Sequence, residues 1–191
     1  KREIIFPAGG KEKGNPYHIH LYKVNFDGNN LTSLTPEKGS HSINPSPNWN
    51  FFVTTYSTTN NPPVSILKDR NGKNLIKLSS SSSDDLKRNG WQEPIEFNVK
   101  ARDNETDLYG ILYLPSHYNK NEKYPVLNYI YPGPQSGSVG NYSFTIARRD
   151  FQALAELGFI VVAVDAMGTP GRSKSFHDAY YGNMGDNGLP D

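Results

Sequence analysis

The chain has 191 residues, 17 of them Gly and 14 Pro, and only 35% are hydrophobic. Even with Gly counted, the apolar share stays below the usual range of about 45–50%, which is thin for a self-sufficient core. Lys and Arg number 20 against 19 Asp and Glu, a formal charge of +1, so neither nucleic acid nor an anionic membrane finds an electrostatic footprint here.

Cys is absent, which removes disulfides, thiolate nucleophiles and zinc-thiolate sites together. The longest apolar run, residues 159–164, is strand-sized and far short of the roughly 18 residues of a membrane span. With 12 Tyr, 9 Phe and 2 Trp, the chain carries the rings that disordered segments lack. It begins without Met or a signal peptide and stops at Asp191 without a polar tail; both ends read as cuts through a longer protein.

The first part, residues 1–80, shows the period-2 alternation of short antiparallel strands, expected over residues 3–6, 18–26, 31–35, 51–57, 64–69 and 74–78. Asp27-Gly28 and Asn71-Gly72 supply positive-φ turns, and Pro36, Gly39, Pro45, Pro47, Pro62 and Pro63 break the runs. Four strands meandering within about sixty residues match the size of one propeller blade, which needs neighbours to cover its faces. The serine run at residues 79–83 and the charged stretch after it read as a linker over 81–92, with room for a short helix capped by Ser or Asp.

From Trp91 the expected order becomes β-β-β-α-β. Residues 95–101 and 108–114 alternate as a hairpin around a polar turn, and residues 126–131 run into Pro132-Gly133-Pro134. Residues 150–158 read as a helix with Phe151, Leu154, Ala155 and Leu157 on its apolar face and Gly158 as its stop. The run 159–165 is apolar at every position but its last, as in a strand covered on both faces. The glycine-rich stretch beyond Asp165 is then a long loop at the carboxyl end of a strand, where open α/β sheets place their sites.

Four stretches in this order resemble the dipeptidyl peptidase IV branch of the prolyl oligopeptidase superfamily of serine peptidases. They are Leu21-Tyr22-Lys23-Val24 through Leu34-Thr35 with Ser42-Ile43-Asn44-Pro45-Ser46-Pro47, then Trp91-Gln92-Glu93-Pro94 through Pro115, then Tyr124-Pro125-Val126 through Pro134, then Gly158-Phe159 through Thr169. The resemblance implies a mixed β and α/β fold: the C-terminal part of a β-propeller (1–80), the linker, and the N-terminal half of an α/β-hydrolase domain (93–191). It implies a serine exopeptidase releasing N-terminal dipeptides, with Pro or Ala at the second position. Within the same fold, an acylaminoacyl peptidase, an oligopeptidase or an esterase is the alternative; outside it, a catalytically dead binding homologue.

The family's Gly-x-Ser-x-Gly elbow is absent: Gly137-Ser138-Val139-Gly140 has the wrong spacing and Gly171-Arg172-Ser173-Lys174-Ser175 lacks the closing Gly. The catalytic Ser, Asp and His are therefore expected beyond Asp191, and the chain alone is expected to be inactive. What the resemblance does assign is Tyr131, as an oxyanion-hole donor. A phenol keeps its proton at pH 7 and can donate, while Pro132 and Pro134 stiffen the turn that aims it.

Other residues carry no assignment. His18 and His20, two apart on one strand, face the same way but lack a third ligand nearby. His177 precedes the family's catalytic His and reads as structural, and Asp165 is not a triad member. Asn30, Asn104 and Asn141 head glycosylation sequons at a frequency chance explains. No nucleotide, metal or organic cofactor is implied. The expected partners are peptide substrates and, because residues 159–164 would form an unpaired edge, a second copy in a homodimer or strand-exchanged assembly. The resemblance further implies a periplasmic or extracellular location.

Overall fold

The computed structural model describes residues 2–131, 133–185 and 188–191. The described residues form eleven strands and three short helices in three sheets. The chain divides into two compact units, residues 1–83 with 142–144, and residues 84–141 with 145–191.

In the first unit β1 (Glu3–Ala8), β2 (His20–Asn25) and β3 (Thr32–Ser33) make an antiparallel sheet in that order. β2 starts at His20, later than the alternation predicts, because the His18 amide closes a turn on the Asn15 carbonyl at 3.2 Å; His18 and His20 therefore do not share a strand. A second sheet runs β4 (Ser40–Pro45), β5 (Phe51–Ser57), β6 (Val64–Asp69), β7 (Asn74–Ser80), each antiparallel to the next. β4 is not among the expected strands, since Pro45 reads as a breaker. Its Pro45 sits at the last position, where a strand tolerates the missing donor.

The β6–β7 hairpin follows its turn chemistry. The Asp69 carboxylate accepts the Asn71 and Lys73 amides at 2.8 and 3.0 Å, and Gly72 takes the positive φ of +84°. Leu21, Leu34 and Phe52 form the apolar centre, with Ile5, Ile43 and Trp49 packed on it; each such burial contributes about 1.5–3 kcal/mol. Within the unit, Tyr142 stacks on Tyr17 with ring centroids 5.0 Å apart.

The second unit opens with α1 (Asp84–Arg88), whose acidic first turn and basic last turn complement the helix dipole. Then come β8 (Ile95–Lys100), β9 (Asp107–Tyr113), β10 (Val126–Tyr129), α2 (Phe151–Glu156), β11 (Ile160–Asp165) and α3 (Lys174–His177). The sheet order is β10-β11-β9-β8, with β11 parallel to β10 and antiparallel to β9. β11 is thus an inner strand with partners on both sides, which corrects the expectation that it forms an unpaired edge. β11 also alternates rather than burying every side chain: Val161, Ala163 and Asp165 are buried, and Ile160, Val162 and Val164 are half-buried.

α2 is shorter than predicted and buries Phe151 and Ala155. Leu157, expected on that face, is 74% exposed: at about 100° per residue it lies on the far side from Phe151, whereas Ala155 lies close to it. Gly158 ends the helix at φ +97°. Phe151 meets Tyr113 and Tyr129 at 5.6 and 5.0 Å between centroids. On the other face Phe176 of α3 joins Leu108 and Ala101, against Val164 and Met167. Gly110 of β9 is required by packing, since a Cβ there would stand 2.5 Å from the Phe97 ring and 2.7 Å from the Ala163 carbonyl.

Candidate functional site

Because β10 and β11 are parallel, with Tyr129 opposite Ala163, their carboxyl ends emerge at one edge of the sheet, the position where such sheets bind ligands. Tyr131 follows β10 and Ala166 follows β11. Both line a cleft shared with Asn128, Ser138, Thr169 and Tyr180. The cleft holds about 100 Å³, below the roughly 300–1,000 Å³ of a small-molecule pocket.

Tyr131 is 39% exposed, and among the described residues no hydrogen bond engages its hydroxyl. Its backbone is held instead: the Tyr131 amide donates to Ser138 Oγ at 3.1 Å. A Cβ added to Gly133 would stand 2.4 Å from Gln135 Oε1 and 3.0 Å from Tyr131 Cε1. Of the two prolines expected to stiffen this turn, Pro132 lies outside the described residues. The carbonyl of Pro134 accepts a hydrogen bond from His177 Nε2 at 2.9 Å, so that nitrogen carries the imidazole proton and His177 serves as a brace.

The return of the loop is pinned by buried charge. Asp165, 2% exposed at the end of β11, accepts the Val139 amide at 3.0 Å. A Cβ on Gly137 would fall 2.4 Å from its carboxylate, so only glycine admits the carboxylate there. Arg148, 7% exposed, donates to the Val139 carbonyl at 3.1 Å. Burial raises the Tyr113 phenol, an effect that Arg148 partly offsets. On the other side of the cleft the Asp191 carboxylate, 1% exposed, accepts from Arg102 Nε and from the Met167 amide, both at 3.0 Å.

The sequence pointed to Tyr131 by resemblance alone; Ser138 and Asp165 were named only to be set aside, and Arg148 and Asp191 were not singled out. The available signals were slight: a serine inside a glycine loop, and a carboxylate closing an apolar strand.

In the first unit His18 and His20 line an opening of about 420 Å³ with Glu12, Lys13, Asn15, Pro36 and Lys38, and ring nitrogens of His20 and His41 bond within the protein. His20 Nδ1 donates to the Thr35 carbonyl at 2.6 Å. His41 Nε2 faces the Glu37 carbonyl and its Nδ1 faces the Thr54 hydroxyl, both at 2.8 Å. A carbonyl only accepts, so His41 carries its proton on Nε2 and accepts at Nδ1. Burial pushes the His41 imidazole down to about 4. Among the described residues no group of three His, Cys, Asp or Glu could hold a metal, and no helix is long and apolar enough to cross a membrane.

Residues 1–63 match the family model for the dipeptidyl peptidase IV N-terminal region, and residues 144–191 match the prolyl oligopeptidase family. The chain is 30% identical to human dipeptidyl peptidase 8, aligned over 96% of its own length and 21% of that protein's. It is also 30% identical to dipeptidyl-aminopeptidase B of Aspergillus niger, over 97% of its length and 20% of the relative's. The chain therefore spans about a fifth of the curated relatives it matches. Among solved structures, a putative dipeptidyl aminopeptidase IV from Bacteroides ovatus superposes with a TM-score of 0.76 at 26% identity, covering 94% of this chain and 25% of that one. Dipeptidyl peptidase 4 of Porphyromonas gingivalis superposes with a TM-score of 0.75 at 21% identity over the same shares, a likeness of fold.

Proposed function

We propose, from the premise that the chain belongs to the dipeptidyl peptidase IV-like branch of the prolyl oligopeptidase family, that the longer protein containing it is a serine-type dipeptidyl peptidase. It releases N-terminal dipeptides, with Pro or Ala second, and Tyr131 is its oxyanion donor. The nucleophilic Ser, with its Asp and His, lies beyond Asp191. The β4–β7 meander is a propeller blade, and the second unit is the first half of an α/β-hydrolase domain, a reading supported by the parallel β10–α2–β11 crossover. The location is periplasmic or extracellular.

The observation that carries this reading is the position of Tyr131 just past the carboxyl end of β10, half-exposed beside a cleft of about 100 Å³, with its phenol unengaged among the described residues. In acyl transfer the serine oxygen bonds to the carbonyl carbon of the second residue, and His takes the hydroxyl proton. Negative charge gathers on the carbonyl oxygen, where the Tyr131 O–H donates. Collapse breaks the C–N bond, the departing amine takes the proton from His, and water then releases the dipeptide. The test is turnover of Ala-Pro and Gly-Pro p-nitroanilides by the full-length protein. Release of nitroaniline with the dipeptide supports the proposal, and no turnover of either substrate overturns it. The 191-residue chain by itself should give none.

A further inference from the structure

We propose that Ser138 is the residue that positions Tyr131 for catalysis, and that Asp165 in turn holds Ser138 in place; this rests on the reading of Tyr131 as the oxyanion donor. A donor stabilises the transition state only if it is aimed before charge develops, and a residue just past a strand end has no ladder to aim it. At Tyr131 the missing constraint comes from Ser138, whose Oγ accepts the Tyr131 amide at 3.1 Å and whose side chain is itself buried at 3% exposure. That bond restrains the backbone from which the phenol projects.

Ser138 is fixed from both neighbours. Val139 donates its amide to Asp165 and accepts at its carbonyl from Arg148, at 3.0 and 3.1 Å. Gly137 has no Cβ, which lets the Asp165 carboxylate lie directly against the loop. Asp165 is the last residue of β11, opposite Tyr109 of β9, so the loop is referenced to the centre of the sheet. The chain from β11 through Asp165, residues 137–139 and Ser138 Oγ to the Tyr131 amide is a sequence of contacts within one unit. Such support is what keeps a functional group within the narrow tolerance catalysis needs.

The test is a double-mutant cycle in the full-length protein, read as kcat and KM on Ala-Pro p-nitroanilide. Ser138→Ala should lower kcat about tenfold with KM unchanged, the size of one lost hydrogen bond expressed only in the transition state. Ser138→Cys, which keeps the volume but weakens the acceptor, should fall between, and serves as the decisive variant should Ser138→Ala fail to fold. Ser138→Thr, which retains the hydroxyl, should restore most of kcat. In a Tyr131→Phe background Ser138→Ala should cost less than twofold further, because its effect passes through the phenol.

Equal loss from Ser138→Ala with and without the Tyr131 hydroxyl would overturn the inference and leave the oxyanion reading standing. So would an undiminished kcat in Ser138→Ala or Ser138→Cys beside a crippled Tyr131→Phe. An undiminished kcat in Tyr131→Phe would instead overturn the oxyanion reading, and the inference with it.

Discussion

The two units bury charge in opposite ways. In the first, Lys68 of β6, 1% exposed, meets Glu37 at 2.6 Å, and His41 of β4 closes on the Glu37 carbonyl and Thr54. That cluster lies against a regular meander, and its ring and ammonium are spent on protein groups. In the second, Asp165 and Arg148 are buried as deeply but grip a loop, and the group they support, Tyr131, is left with its hydroxyl unengaged among the described residues. The first cluster engages groups of the scaffold, with Glu37 Oε2 buried and unbonded; the second ends in an open hydroxyl, where the proposed site lies.

The largest effect expected from breaking this contrast lies in the first cluster. Glu37→Ala leaves the Lys68 ammonium buried without its counter-charge and should cost about 3–5 kcal/mol in urea unfolding, whereas the paired Lys68→Met, Glu37→Leu replacement should be close to neutral. Burial alone would raise the Glu37 carboxyl; the Lys68 hydrogen bond and charge outweigh it and hold the group below its ordinary value. Comparable losses in the single and paired variants would mean the pair is not what carries the stability.

Next is the open donor. Tyr131→Phe in the full-length protein should lose about 2.7–4 kcal/mol of transition-state stabilisation, seen as a fall of about 10²–10³ in kcat with the melting temperature unmoved. Activity and stability should therefore separate here, where at Glu37 they fall together.

Acid should distinguish the units as well. Desolvation depresses the His41 imidazole from its ordinary value of 6.5 to about 4, against the opposing hydrogen bond to the Glu37 carbonyl. Between those values the unfolded chain binds the proton that the folded chain refuses, so stability is whole above pH 6.5 and drains as pH falls toward 4. The loss is about 3 kcal/mol across that window. His41→Gln should flatten that limb of the stability profile, and an unchanged slope would exclude His41 as its source. The smallest effect is expected from Gly133→Ala. The new Cβ would displace the Gln135 side-chain oxygen at 2.4 Å and press on Tyr131 Cε1 at 3.0 Å; the substitution should lower kcat on the order of tenfold, with stability moved by less than about 1 kcal/mol.

How much of this was legible in the sequence depended on the range of the interaction. β5 and β6 were read to the residue because alternation runs unbroken between turn signals. β4 was missed because Ser40, Ser42 and Pro45 do not look like a strand, and its ladder with β5 supplies what propensity does not. α3 was missed because glycines surround it, although Ser173 caps it by accepting the Phe176 amide at 3.2 Å. The expectation of an exposed β11 failed for a related reason: composition suggested missing partners, but β9 folds back to pair with β11 along five residues.

By itself, the sequence determined much of the strand periodicity, the turn positions, the absence of thiols and, through the ordered motifs, the family. Those are properties of neighbours along the chain, set by backbone sterics and local side-chain chemistry. Only the tertiary structure decided that β11 is an inner strand, that Lys68 and Glu37 meet 31 residues apart, and that Asp165 reaches Val139 across 26 residues to hold the loop that holds Tyr131. A carboxylate at a strand end and a serine among glycines have no individual signature; they acquire a role when burial removes water and leaves each other's polar groups as the remaining partners.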